Sequence, residues 1–286
     1  MKKYLSLVLF AHTIFAMPFA FIGFFLALST TEYTFSWIKL GLMILCMVFA
    51  RNSAMAFNRW LDRKFDAKNP RTAVRDIPAG RISANNALLF TLSNCVLFVF
   101  TTYFINTLCF FLSPVALAVV LGYSFTKRFT PLCHLILGIG LGLAPLGAYL
   151  SITGEFALLP IFFSLAVICW VSGFDIIYAL QDDEFDKSAN LYSIPSVLGR
   201  KKALQVSSLL HVLCVIFIAV PYFYAHLGGF YIAGILFFIG LLIYQHSLVK
   251  PNDLSKVGLA FGTTNGIASV IFAVFFLLDV YFRMAR

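Results

Sequence analysis

The sequence predicts an all-α, polytopic membrane protein, and three observations carry that expectation. The 286 residues are 61% hydrophobic and only 12% charged, about half the charged fraction of an ordinary soluble domain, and the mean hydropathy is +0.92. The apolar residues come in long blocks rather than in the 3.6-residue stripe of an amphipathic globular helix. Short alternating segments of the kind that build an outer-membrane barrel do not occur.

Nine blocks reach the roughly 20 residues needed to cross a bilayer as a helix. The first, near 4–28, follows Lys2-Lys3 and is too long for the apolar core of a signal peptide, so it reads as a span. The second, near 36–60, runs into a strongly basic stretch. The third and fourth, near 84–105 and 107–125, are divided only by Asn106-Thr107. The fifth and sixth lie near 131–152 and 157–181, and the last three near 203–226, 229–248 and 257–282. Pro18, Pro114 and Pro145 fall inside these blocks. No linker or low-complexity stretch divides the chain, so residues 1–286 read as one domain.

Charge supports the count. Arg59, Arg63, Lys64, Lys68, Arg71, Arg75 and Arg81 follow the second block, and Lys127 and Arg128 the fourth. Lys187, Arg200, Lys201 and Lys202 follow the sixth, Lys250 and Lys256 the eighth. The alternate loops hold Glu32 and Glu155 and almost no basic residue. With the amino terminus inside, every basic loop is cytoplasmic, and only Arg283 and Arg286 sit on the other side. The net charge of +9 is therefore explained without nucleic acid, since no basic stripe is interleaved with exposed aromatics. The six cysteines lie singly in apolar runs, and the five histidines have no zinc-ligand spacing.

Against this apolar background two acidic ladders stand out. Asn58-x3-Asp62-x3-Asp66 ends the second block, and Asp175-x6-Asp182-x3-Asp186 ends the sixth. Both spacings keep the side chains on one helix face. Asp62 and Asp66 have a structural explanation, pairing with Arg59, Arg63 or Lys64 at a solvated helix end. The second ladder resists it, because Asp182, Asp183, Glu184 and Asp186 crowd a helix C-terminus, where the macrodipole disfavours anions. A bound cation would relieve both problems, and magnesium takes one or two carboxylates together with substrate phosphates. Asp183 and Glu184 are expected to face solvent, and Asp182 and Asp186 to share the inner face. Asp175, within the span, reads as lining a site; an interhelical hydrogen bond and a proton-accepting role stay open. Arg51, seven residues before Asn58, either pairs with a site acid or binds an anionic substrate. Tyr123, Lys127 and Arg128 offer a hydroxyl and two bases at the same depth, although cytoplasmic loop charge alone also accounts for the bases.

The stretch Asn58-Arg-Trp-Leu-Asp62-Arg-Lys-Phe-Asp66, followed by Asn69-Pro-Arg71-Thr and Ile77-Pro-Ala-Gly80-Arg81-Ile-Ser, resembles the first signature of the UbiA-type intramembrane prenyltransferases. Gly173-Phe-Asp175-Ile-Ile-Tyr178-Ala-Leu-Gln-Asp182-Asp183-Glu-Phe-Asp186 resembles the second, and within the superfamily the chain is most similar to the 4-hydroxybenzoate polyprenyltransferase branch. The resemblance implies about nine transmembrane helices around a central cavity open sideways to lipid. It also implies Mg²⁺-dependent transfer of a polyprenyl group from its diphosphate to an aromatic acid. Asn58, Asp62, Asp66, Asp182 and Asp186 would hold metal, with these aspartates as the catalytic set; Asp175 joins them as a catalytic candidate on its depth and helix face alone. Asn58, Lys127, Arg128, Tyr123 and Tyr178 would meet the diphosphate. The implied setting is the inner membrane of a bacterium with the site loops cytoplasmic, and the partners are polyprenyl diphosphate, the acceptor and the bilayer. A dihydroxynaphthoate, as in menaquinone routes, is the alternative acceptor, and a cation-coupled transporter is the alternative outside enzymes.

Overall fold

The computed structural model describes Leu7 and residues 15–284. The expected first span lies partly outside them, as do Lys2, Lys3, His12 and Arg286. The described part of that span is α1 (Met17–Thr30), which carries Pro18 in its first turn, where no helix hydrogen bond is lost. The long helices that follow are α2 (Trp37–Asp66), α3 (Ala84–Tyr103), α4 (Thr107–Thr126), α5 (Cys133–Thr153) and α6 (Leu158–Ala179). A 3₁₀ turn, Leu180–Asp182, leads into the short helices α7 (Asp183–Ser188) and α8 (Ile194–Leu198). The chain ends with α9 (Arg200–Tyr224), α10 (Gly229–Leu248), a π-helical turn (Leu259–Thr264) and α11 (Asn265–Met284). Among the described residues eight helical stretches are long and apolar enough to cross a membrane, and α1 is a shorter apolar helix beside them. The expectation of about nine is met to that extent.

Local chemistry sets the helix ends. Ser36, Ser83 and Asn106 cap α2, α3 and α4 by accepting from the backbone N–H three residues on. Gly154 closes α5 in the left-handed conformation, with φ of 69°. That Asn106 is a cap explains how α3 and α4 become separate helices across so short a gap.

Consecutive long helices pack side by side, and α1 packs on α5 and α11 to close the arrangement. The buried core runs along α1 and α6, around Phe19, Phe24, Phe163 and Trp170, and reaches α10 and α11 through Phe238, Phe272 and Phe276. The outward faces stay apolar, with Val96, Phe111, Leu209, Leu236, Ile243 and Val274 all exposed. An outer surface of this kind is matched to lipid rather than water. Where α5 meets α6 the backbones approach closely. A Cβ on Gly138 would lie 2.6 Å from the Ile168 carbonyl oxygen, and one on Gly142 would lie 3.0 Å from that of Ser164. This contact places the start of α5 against the last turns of α6.

Two cavities share the interior. One, about 360 Å³, is lined by apolar side chains of α2, α4 and α5 and includes Val115 and Phe156, themselves exposed, so it reaches the lipid-facing surface. The other, about 270 Å³, is polar and gathers residues from α2, the segment after it, the end of α4, the start of α5 and the end of α6. Arg51, Met55, Tyr123, Leu137 and Leu141 line both.

Candidate active site

The α2 ladder enters the polar cavity over its last two turns. Asn58 Nδ2 donates to Asp62 Oδ2 at 3.1 Å, and Arg128 reaches from the end of α4 to put Nη2 2.8 Å from Asp62 Oδ1. Arg128 is held in turn by its Nη1 bond to the Ser124 carbonyl at 3.0 Å and by the Phe65 ring beneath it. Asp66 is paired by Arg75 at 2.7 Å. The partners proposed from spacing are not the ones used. Arg63 turns back onto the Trp60 carbonyl and ring, and Arg59 is buried with Nη1 unpartnered. At 3.6 residues per turn, Arg63 lies about 100° round the helix from Asp62, so it points away from the cavity.

The segment between α2 and α3 folds back over the site. Asn69 accepts from the Arg71 N–H at 3.0 Å, which forms a local turn, and donates Nδ2 to Asp182 Oδ1 at 2.9 Å. Arg71 grips Asp182 with a two-pronged fork, Nε to Oδ1 at 2.9 Å and Nη2 to Oδ2, while its Nη1 donates to the Tyr178 hydroxyl at 2.8 Å. Burial works against the Arg71 charge, but its bonds to Asp182 and Tyr178 and the negative charge of Asp182 outweigh it and hold the guanidinium above its usual range. Tyr178 stacks on Phe261 with ring centroids 4.1 Å apart. Phe261 sits in the π-helical turn, an irregularity often found beside functional sites.

Asp186 is met from two sides. Lys127 Nζ lies 2.8 Å from Oδ1, an ion pair by distance in which Oδ1 accepts no aligned hydrogen bond. Ser193, the N-cap of α8, donates to Oδ2 at 2.9 Å. Burial disfavours the Lys127 charge; the nearby Asp186 and Asp182 outweigh this and raise it above the ordinary lysine range. The expectation that Asp183 faces solvent is corrected. Its side chain is buried and held by Arg200, with Nε and Nη2 at 2.8 and 2.9 Å, and Glu184 alone is solvent-exposed, its side chain 86% accessible. Arg200 opens α9, so the crowded acids are relieved partly by a neighbouring helix.

The cavity therefore collects Asn58, Asp62, Asp66, Asp175, Asp182, Asp186, Tyr123, Lys127, Arg128 and Tyr178 in one place. It adds Asn69, Arg71, Arg75 and His134, to which the sequence reading gave no site role. Asn69 and Arg71 stand in the signature stretch Asn69-Pro-Arg71-Thr, which gave them no stated role, and for Arg75 the available signal was the number of bases in one loop. For His134 there was none.

Do these residues suit a divalent cation? Among the described residues no three His, Cys, Asp or Glu side chains are grouped closely enough to hold one unaided. Yet Asp66 Oδ2 is buried without any donor, and Asp186 Oδ1 has only the Lys127 contact. Buried hard oxygen donors left unsatisfied fit an ion such as Mg²⁺, which completes its shell with water and substrate phosphate.

Residues 16–278 match the UbiA prenyltransferase family. The chain belongs to this family. Solved relatives share the fold. The apo structure of a UbiA homolog from Aeropyrum pernix K1 superposes with a TM-score of 0.81 at 30% identity, covering 96% of this chain and 98% of the other. A UbiA homolog from Archaeoglobus fulgidus bound to GPP and Mg²⁺ gives 0.73 at 25% identity, covering 98% and 99%. Among curated proteins, the 4-hydroxybenzoate octaprenyltransferase of Photobacterium profundum is 32% identical over 82% of this chain and 81% of its own length. The chain is thus an integral membrane prenyltransferase of the UbiA family, and the carrier reading is set aside.

Proposed function

We propose that the protein transfers a polyprenyl group from its diphosphate to a hydroxylated aromatic acid, with 4-hydroxybenzoate as the acceptor. One observation carries this reading: α2 and the stretch from α6 to α7 deliver five carboxylates into a single polar cavity, interleaved with six bases, and that cavity adjoins an apolar one reaching the lipid-facing surface. The polar part suits a metal-bound diphosphate and the apolar part a prenyl tail. In this reading Asn58, Asp62, Asp66, Asp182 and Asp186 hold Mg²⁺. When bound, the ion neutralises the diphosphate and makes it a better leaving group. Lys127 and Arg128 take diphosphate oxygens, and Tyr123 and Tyr178 donate their hydroxyls to it.

Arg51 lies at the junction of the two cavities with Nε buried and unpartnered. It receives the acceptor carboxylate. Asp175 faces the same cavity, and its carboxylate takes the proton released from the ring. The bond from prenyl C1 to the diphosphate oxygen breaks, and its electron pair leaves with diphosphate. A ring carbon beside the hydroxyl bonds to C1. The electrons of its C–H bond then restore aromaticity, and the proton passes to Asp175. Apolar walls keep water from the allylic cation.

Product mass spectrometry with one polyprenyl diphosphate, Mg²⁺ and either 4-hydroxybenzoate or a dihydroxynaphthoate tests the reading. Prenylated 4-hydroxybenzoate, lost in Asp62→Ala and Asp182→Ala, supports it. Turnover of the naphthoate alone reassigns the acceptor, and diphosphate release that survives both substitutions overturns the site.

A further inference from the structure

His134 is buried at the start of α5 and has no part in the metal and diphosphate machinery. Its Nδ1 lies 2.6 Å from Asp175 Oδ2, on α6. On the other side of the ring, the Ile194 N–H at the start of α8 points to Nε2 at 3.3 Å. A backbone N–H facing Nε2 calls for a lone pair there, which places the ring proton on Nδ1, directed at Asp175. The histidine backbone is fixed too: Ser172, on α6, donates Oγ to the His134 carbonyl at 3.1 Å, beside the close approach allowed by Gly138. The side chain of His134 is 3% exposed and that of Asp175 22%. One member is thus locked in the protein while the other faces the cavity with Oδ1 outside this bond.

We propose that His134 is a positioning residue for Asp175: it holds the carboxylate in one rotamer, with Oδ1 presented to the ring proton of the bound acceptor. This rests on the reading of Asp175 as proton acceptor given above. A carboxylate fixed by a donor that cannot rotate is aligned before the substrate arrives, which is the condition for efficient general-base catalysis. His134 itself accepts no further proton, because a second N–H at Nε2 would confront that of Ile194. The proton that leaves the ring therefore stops on Asp175, and the dyad differs from a two-step relay.

The test compares purified His134→Leu, His134→Met, His134→Asn and Asp175→Asn with the parent, using polyprenyl diphosphate, Mg²⁺ and an acceptor either unlabelled or deuterated beside its hydroxyl. Melting in detergent establishes that each variant is folded, and Met is the companion of Leu should Leu not fold. Loss of His134 is expected to lower kcat about 10- to 100-fold while KM for the diphosphate substrate stays put. The deuterated acceptor should then show a primary isotope effect larger than in the parent, because proton removal has become slow. Asparagine, whose Nδ2 stands where Nδ1 stood, should recover most of the rate and suppress the isotope effect. If Asp175→Asn is impaired but both apolar variants keep parental kcat, or lose rate with no change in isotope effect and no rescue by asparagine, His134 is only structural. If Asp175→Asn retains full rate, the assignment of Asp175 fails instead, whatever His134 does.

Discussion

Arg71→Ala is the most informative single change, because Arg71 bonds Asp182 and Tyr178 at once and belongs to neither acidic ladder. Two charge-assisted bonds to Asp182 contribute about 1.5–3 kcal/mol each where water is excluded. The Arg71 side chain is 30% exposed and that of Asp182 11%, so solvent screening reduces the sum. Asn69 still holds Asp182 Oδ1 after the change, so orientation is loosened rather than lost. A net penalty of about 2–3 kcal/mol corresponds to a roughly 30- to 150-fold fall in kcat/KM for the prenyl diphosphate. Arg71→Lys should fall between parent and alanine, since an ammonium cannot reproduce the fork. The assay is initial-rate diphosphate release in detergent with saturating Mg²⁺, alongside a thermal melt. Activity equal to or above the parent would refute the reasoning: Arg71 would then be a placeholder that competes with the metal for Asp182.

Other consequences can be checked with the same preparation. Lys127→Gln should lower kcat/KM without moving the pH–rate profile between about pH 6 and 9. The folded Lys127 is raised above the usual lysine value of about 10.4, so its charge and its stabilising contribution are fully present below that value and fade only as pH rises past the folded one. A profile that shifts with this substitution contradicts the assignment. Arg200→Ala should lower the melting temperature by a few degrees, about 1 kcal/mol, and leave kcat nearly intact, because its Asp183 pair lies outside the cavity lining. Gly138→Leu should destabilise by roughly 1–3 kcal/mol through overpacking, since a side chain there meets Ser172 and the Ile168 carbonyl; an unchanged melt would show that α5 and α6 can separate freely.

Why was the fold so readable? Membrane spans declare themselves through length and uninterrupted apolarity, and the backbone inside a bilayer has little choice but helix. Residues 107–125, 131–152 and 229–248 were placed within a few residues of α4, α5 and α10 for that reason. The carboxylates were visible too, because a charge in such a setting is conspicuous. Their partners were not. Arg75 and Arg200 look like loop decoration in one dimension and Arg71 is one letter of a signature; the return of the segment after α2 across the cavity, and the start of α9 beside α7, show which acid each one meets. His134 was hidden for a similar reason. It lies 41 residues from Asp175, and neither residue type nor local spacing links them. The crowded acids around Asp182 also need a metal less than their spacing suggests, since Arg71, Lys127 and Arg200 already supply counter-charge.

The polar cavity is lined by five carboxylates, Asp62, Asp66, Asp175, Asp182 and Asp186, and by six bases, Arg51, Arg59, Arg71, Arg75, Lys127 and Arg128. With His134 neutral, its lining is close to balanced. A divalent cation entering alone draws carboxylates from their partners and leaves arginine and lysine charges unpaired in a poorly solvated space. A diphosphate entering alone does the reverse. When both enter, the cation takes oxygens of Asp66 and Asp186, the anion takes the bases released from them, Arg75 and Lys127, while Arg71 keeps Asp182 oriented, and no charge is stranded. Stranding one buried charge costs several kcal/mol, so the two ligands must assist each other. Coupling of even about 2–3 kcal/mol makes each raise the affinity for the other roughly 30- to 150-fold, by linkage. Calorimetric titration of Mg²⁺ with and without an unreactive prenyl diphosphate analogue measures that factor directly. Arg75→Ala should shrink it, because Asp66 is then already unpaired before either ligand binds. Equal Mg²⁺ affinity in the two titrations would mean that the resting ion pairs are not exchanged on binding, and that metal and diphosphate occupy the cavity independently.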